Sequence, residues 1–209
     1  MDGSVATFHR TSAPRSGIAE RIWNSARAEF SRRGYHGARV QGIARGAVCN
    51  VALIYRHWSS KKALYLDILR AVWIGTANDI ARLVADGPVG AAAIVDGYLD
   101  AMMKDQQGSQ LLIREYLDGA PHLLLLAQNE PALLEPVKRA AAALAIAGAP
   151  GGDTDPVLAV VTIGGLAALV ASAQDADRPF VSVATTAEVL RAHVRTLLLH
   201  GLAPANAPQ

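Results

Sequence analysis

From Ile18 onward, apolar residues return at helical spacing. Ile18, Ile22, Ala26 and Phe30 form one stripe with Trp23 alongside, which predicts an amphipathic helix. Gly34 stops it, and Arg32 and Arg33 sit favourably in its last turn. Residues 40–47 and 51–58 read as two short helices joined by a tight turn that no Gly or Pro marks. Ser59-Ser60 then supplies an N-cap for a long helix from Lys61 to about Ala85, striped with Leu64, Ile68, Val72 and Gly75 and ended by Gly87-Pro88. Ala91 to Asp105 is the next helix. Gln106-Gln107-Gly108 break it, and Ser109 caps a further helix that runs to about Asp118. Beyond Gly119-Ala120-Pro121, residues 122–147 are helical but interrupted by Pro131 and Pro136. Asp155-Pro156 opens an apolar helix as far as Gln174. A last helix covers about Thr185 to His200, with Leu190, Val194, Leu197 and Leu198 on one side. The pattern predicts an all-α chain of about nine helices, with no convincing strand and no repeat.

Composition supports that class. Of the 209 residues, 51% are hydrophobic and 5% aromatic; Ala, Leu and Val dominate, which favours helices over strands and allows a buried core. The lone cysteine, Cys49, excludes a disulfide within the chain and fits a reducing cytoplasm. It reads as a small buried hydrophobe. Residues 1–17 are polar and contain Pro14 and Gly17, so no signal peptide is read there. The longest uncharged run, residues 156–174, approaches spanning length, but Thr162, Gly164, Gly165 and Ser172 suit a buried helix, and no membrane partner is expected.

Charge changes the picture more. The net charge of +2 conceals a basic head: residues 1–62 hold eleven Lys/Arg against three Asp/Glu, a net +8, and residues 63–209 hold nine against fifteen, a net −6. Such a head is either a soluble module or the docking end for a polyanion. The run from Ile43 to Tyr65 favours the polyanion. Its second short helix is small and polar at its start (Asn50, Val51, Ala52) and aromatic and cationic at its end (Tyr55, Arg56, His57). Small leading residues let a helix approach base edges in a major groove while later side chains reach phosphates.

Residues 18–69 resemble the DNA-binding domain of the TetR family of repressors. The matching positions are Phe30 and Gly34-Tyr35 at the first helix end, Ile43-Ala44 in the second helix, Ile54-Tyr55-Arg56-His57-Trp58 in the recognition helix and Ser60-Lys61 opening the long helix. The spacing from Ile43 to Trp58 matches without a gap. The chain departs from the family in two places. Val48-Cys49 stand where the family has Gly-Val in the turn; a residue needing positive φ is uncomfortable as Val, so either the turn is distorted or the residue stays in the αR region. Arg39 stands where a Thr or Ser usually caps the first short helix; it cannot cap, but it can reach a phosphate.

The resemblance implies a three-helix helix-turn-helix head on a larger helical body that binds an effector and dimerises. The expected divisions are a flexible arm at 1–16, the head at 17–62, the body at 63–203 and a frayed tail at 204–209. Tyr55 and His57 match positions that touch phosphates, with packing inside the head as the alternative for Tyr55. Lys61 opens a helix where both its amide and its ammonium can meet a phosphate. Gln41, Asn50, Val51 and Ala52 are the candidates for base edges, and Arg45 and Arg56 are surface cations. Phe30, Ile22, Val40, Ile43 and Trp58 belong to the head core, and Trp23 fits either role. In the body, Trp73, Tyr98, Met102, Met103, Arg114, Tyr116 and His122 are candidates to line an effector cavity, each with packing as its alternative. Arg114-Glu115 need partners, of which an effector carboxylate is one option.

Nothing in the chain points to catalysis. It contains no Gly-x-Ser-x-Gly and no phosphate loop, and its six histidines lack metal-ligand spacing, so no metal, cofactor or enzyme activity is expected. The two last helices are too apolar for one chain to cover, and Gly164, Gly165, Ala167 and Ala168 allow close helix approach. A four-helix homodimer interface and hence a palindromic duplex operator are expected. The competing reading is an all-helical small-molecule binder or enzyme with a vestigial head.

Overall fold

The computed structural model describes residues 17–85, 89–146, 155–172 and 187–201. Among these, all regular structure is helical. Ten α-helices follow in chain order: α1 (Gly17–Gly37), α2 (Val40–Gly46), α3 (Val51–His57), α4 (Lys61–Leu83), α5 (Ala91–Lys104), α6 (Gln106–Leu117), α7 (Pro121–Asn129), α8 (Glu135–Ile146), α9 (Pro156–Ser172) and α10 (Ala187–Gly201), with a 3-10 turn at Pro131–Leu134 before α8. The expected arm at 1–16 and tail at 204–209 lie outside the described residues.

α1 to α3 form the head around Ile22, Phe30, Ile43 and Ile54, all buried together with Leu64 of α4. Close backbone approach holds α1 to α2. The Ser25 hydroxyl donates to the Ile43 carbonyl at 2.9 Å, and a Cβ on Gly46 would lie 2.3 Å from the Ser25 Oγ. Trp58 is half-buried, and its indole N–H donates to Asp67 at 3.0 Å, tying the end of α3 to α4. Cys49 is half-buried rather than fully buried and packs at the edge of the same core.

The turn between α2 and α3 keeps the geometry that suits glycine. Val48 takes φ 52° and is 84% exposed. Neither sequence expectation holds: the valine does not stay in the αR region, and the turn is retained with a β-branched residue under strain.

α1 bends at Gly34, where φ is 68° and ψ 179°, as the predicted stop there requires. The bend leaves α1 carbonyls without helical partners. Arg114 of α6 supplies them: its guanidinium donates to the Ser31 carbonyl at 2.9 Å and to the Arg32 carbonyl at 2.8 Å. The next residue, Glu115, is 1% exposed. Its carboxylate accepts from the Tyr65 hydroxyl of α4 at 2.8 Å and from the His122 and Leu123 amides at 2.6 and 3.2 Å. Those amides open α7, whose own N-cap position is Ala120, a residue with no side-chain acceptor and a φ of 56°. Glu115 therefore caps a neighbouring helix and places its negative charge at that helix's positive end. Tyr35, Tyr65 and His122 stack around it, with ring centroids 4.5 to 5.0 Å apart. Burial, and then the Glu115 hydrogen bond, push the Tyr65 phenol well above its ordinary range.

One element boundary differs from the expected one. Gln106-Gln107-Gly108 do not break the chain; they form the first turn of α6. Asp105 is the cap, accepting from the Gly108 amide at 3.0 Å. Ser109, the predicted cap, is buried and donates to the Met102 carbonyl at 2.7 Å. The body is built around α9, which packs on α5, α6 and α8. Gly164, Ala167 and Ala168 are buried, and a Cβ on Gly164 would lie 3.3 Å from the Tyr98 ring. Gly164, Ala167 and Ala168 thus serve packing within the subunit, and a Cβ on Gly165 would meet nothing within 4 Å among the described residues. Among the described residues, no helix is long and apolar enough to cross a membrane.

Replacing Val48 by Gly should raise stability by about 1 kcal/mol, because the relief of αL strain exceeds the entropy cost of glycine. For a chain of this size that is an increase in Tm of about 2–4 °C, measurable by thermal denaturation; a fall in Tm would contradict the strain. Replacing Glu115 by Ala leaves a buried hydroxyl and two amides without acceptors, at about 1–3 kcal/mol each. Denaturant titration should show a loss above about 3 kcal/mol, and a loss below about 1 kcal/mol would mean that Glu115 does not hold the junction.

Candidate nucleic-acid interface and effector cavity

α3 is seven residues long and anchored by one fully buried side chain, Ile54. The opposite side of the helix is open. Ala52, Arg56 and His57 are exposed, and Tyr55 is 48% exposed. Gln41 and Arg45 of α2 and Arg39 before it are exposed too. The head thus shows solvent a small residue at the start of α3 and aromatic and basic groups at its end. Tyr55 does not pack inside the head, so the packing alternative for it fails.

Three predicted contacts have other duties. Asn50 is the N-cap of α3, and its side-chain oxygen accepts from the Leu53 amide at 2.9 Å. Bidentate reading of adenine needs both the oxygen and the NH2 of an Asn, so a base contact there would break the cap. Val51 is half-buried and packs on the head core, which leaves it only an edge to present. Lys61 opens α4 beside Ser60, whose hydroxyl caps the helix by accepting from the Ala63 amide at 3.0 Å. Its ammonium lies 4.8 Å from the Tyr35 ring centroid, and partial burial lowers its pKa. Arg39 occupies the N-cap position of α2 with no side-chain cap, as expected; its amide donates to Glu29 at 3.4 Å.

In the body, four of the seven predicted cavity residues converge. Trp73, Tyr98, Met102 and Tyr116 line a cavity of about 40 Å³ between α4, α5, α6, α8 and α9. Trp73 and Tyr116 also border a second cavity, of about 150 Å³, under α7 and the 3-10 turn. The Trp73 indole N–H donates to the Leu133 carbonyl at 2.7 Å. Desolvation raises the pKa of both Tyr98 and Tyr116, so both phenols stay neutral.

The other three predicted lining residues lie elsewhere. Arg114 and His122 belong to the head–body junction, where Glu115 and the α1 carbonyls occupy them. Met103 is half-buried against the core and borders neither cavity. The sequence reading missed Thr76 and Ile80, which follow Trp73 by one and two turns of α4 and were open to a periodicity argument. It also missed Val137 and Val160, which only the fold brings to the same place. A further cleft, about 320 Å³ between α1 and α4, adds the charged Arg27, Asp67, Arg70 and Asp105 to an apolar wall of Trp23, Val72 and Ile74. Arg27 pairs with Asp105, and Arg70 pairs with Glu130 at 2.6 Å. Among the described residues no cluster of His, Cys, Asp or Glu could hold a metal ion.

Residues 22–68 match the family model for bacterial regulatory proteins of the tetR family. The HTH-type transcriptional regulator RutR of Escherichia coli is 30% identical over 129 residues, which is 58% of this chain and 58% of RutR. The HTH-type transcriptional repressor SCO4008 of Streptomyces coelicolor is 35% identical over 80 residues, 38% of this chain and 40% of that protein. The matches thus span well under two thirds of these relatives' lengths. Among solved structures, the ketosteroid transcriptional regulator KstR2 of Mycobacterium tuberculosis superposes with a TM-score of 0.66 at 18% identity, over 93% of this chain and 99% of that one. That likeness shows a shared fold across head and body.

Proposed function

We propose that the chain, whose residues 22–68 match the tetR family model, is a cytoplasmic, ligand-responsive repressor of that family that binds duplex DNA as a dimer. The observation that carries this reading is the open face of α3. Ala52 stands at its leading end, Tyr55, Arg56 and His57 stand at its trailing end, and Ile54, flanked by Val51 and Leu53, anchors it on the core. A helix so mounted on a basic head enters a major groove with its backbone close to base edges. Gln41 and Ala52 are the open base-edge candidates. Arg39, Tyr55, His57 and Lys61 face phosphates.

Dimerisation rests on apolar surface that is exposed among the described residues. On α9, Leu158 is 61% and Leu169 50% exposed; on α10, Leu197 is 59% exposed. A second copy related by a two-fold axis covers both helices as a four-helix interface. Two α3 helices then meet successive major grooves, which requires a palindromic operator. An apolar effector in the body cavities displaces α6. The Arg114–Glu115 grip on α1, α4 and α7 passes that displacement to the heads, so that DNA is released by a shift between two states.

Replacing Tyr55 and Lys61 together by Ala should weaken binding to duplexes selected by the wild-type protein. The loss should be about 10-fold or more and the salt dependence shallower, since two phosphate contacts are removed. Unchanged affinity would restore the competing picture of a small-molecule binder with a vestigial head. Replacing Leu158 and Leu169 by Asp should turn a dimer into a monomer at micromolar concentration in sedimentation. A wild-type chain that already sediments as a monomer would remove the interface.

A further inference from the structure

We propose that the effector is an uncharged, elongated apolar molecule that occupies both body cavities at once, with Trp73 and Tyr116 as the movable partition between them. This inference rests on reading the body as an effector domain.

Volume is the first argument. A dry apolar cavity of about 150 Å³ accepts a molecule of benzene's size, and small-molecule sites are typically about 300 Å³ or more. Neither the cavity of about 40 Å³ nor that of about 150 Å³ meets this alone. Trp73 and Tyr116 line both; the two volumes together still fall short, so the indole must swing out of the wall and yield its own volume to one continuous chamber. Only one neutral hydrogen bond to the Leu133 carbonyl, at 2.7 Å, fixes the indole. Giving it up is a small loss against the burial of several methylenes.

Charge is the second argument. Neither lining contains Asp, Glu, Lys, Arg or His. The nearest buried carboxylate, Glu115, is saturated by Tyr65, His122 and Leu123, and Arg70 is held by Glu130. An ionised ligand would lose its hydration there and find no counter-charge. The hydroxyl-bearing residues of the first lining are Thr76, Tyr98 and Tyr116. Apart from the shared Trp73 and Tyr116, the second is lined only by Ala and Leu. The polar end of the ligand, a hydroxyl or carbonyl, therefore lies between α4, α5 and α9, and its tail lies under α7. There the tail presses on Leu123, one of the two residues whose amides Glu115 holds.

Calorimetric titration of the full chain with straight-chain primary alcohols, from hexanol to hexadecanol, tests this, with the matching carboxylates as the charged arm. Affinity should rise about fourfold per methylene and continue to rise beyond six carbons, and each carboxylate should bind at least about tenfold more weakly than its alcohol. Trp73→Phe removes the indole hydrogen bond and keeps an aromatic wall, so dodecanol should bind several-fold more tightly and hexanol unchanged. Ala127→Phe fills the second chamber and should flatten the series beyond hexanol. A series that is already flat beyond hexanol in the wild type, carboxylates that bind as well as alcohols, or a Trp73→Phe effect equal at both lengths would overturn the partition. If instead no probe of any length binds and none alters the affinity for selected duplexes, the effector-domain reading fails with it.

Discussion

Two consecutive residues of α6 hold the head to the body. Arg114 terminates α1 by donating to the last carbonyls before the Gly34 bend. Glu115 starts α7 by accepting from its first amides, and it also anchors α4 through Tyr65. Each side chain does work that the helix it serves cannot do for itself. The Gly34 bend interrupts α1, and α7 begins after an alanine. Because such buried groups are costly to leave unpaired, the orientation of α1, and with it of α2 and α3, is fixed by where α6 lies.

The head was legible in the sequence, and for a physical reason. Short-range signals decide it: the stripe from Ile18 to Phe30, the glycine at 34 and the serine cap at 60 each act within one or two turns. The structure places α2, α3 and α4 within a residue or two of the expected limits. The body was legible as a sequence of helices but not as a site. Arg114 and His122 have the right chemistry for an effector pocket, but long-range partners, Ser31 and Arg32 for one and Glu115 for the other, claim them. Trp73, Tyr98, Met102 and Tyr116 converge because α4, α5 and α6 cross, which no local pattern encodes.

Two small-residue positions illustrate the same limit. Gly164 and Ala167 read as a surface for close approach by a partner helix; Gly164 gives that approach to Tyr98 of α5 in the same subunit, and Ala167 is buried within it. Among the described residues, α9 and α10 together expose seven large hydrophobics, all of them leucines and valines. Val48 is the converse case. Its β-branched side chain argued against a left-handed turn, but the packing of α2 and α3 on α1 overrides that local preference, and the strain is stored at an exposed tip where no packing is lost.

The order of side chains on α6 links these parts. Successive helical residues point about 100° apart, at 3.6 residues per turn. Arg114, Glu115 and Tyr116 therefore cannot share an environment, and each reaches a different one: the end of α1, the buried ring cluster at α4 and α7, and the cavity wall. A rotation or shift of this one turn cannot satisfy the cavity without disturbing the other two. The same three residues also lie where the acidic body meets the basic head. On the proposed reading, a ligand that moves Tyr116 would act on the terminus of the helix that carries the head, and DNA that holds the heads would resist that motion through the same contacts. The reciprocity demanded of any coupled pair of sites would then run through one turn of one helix.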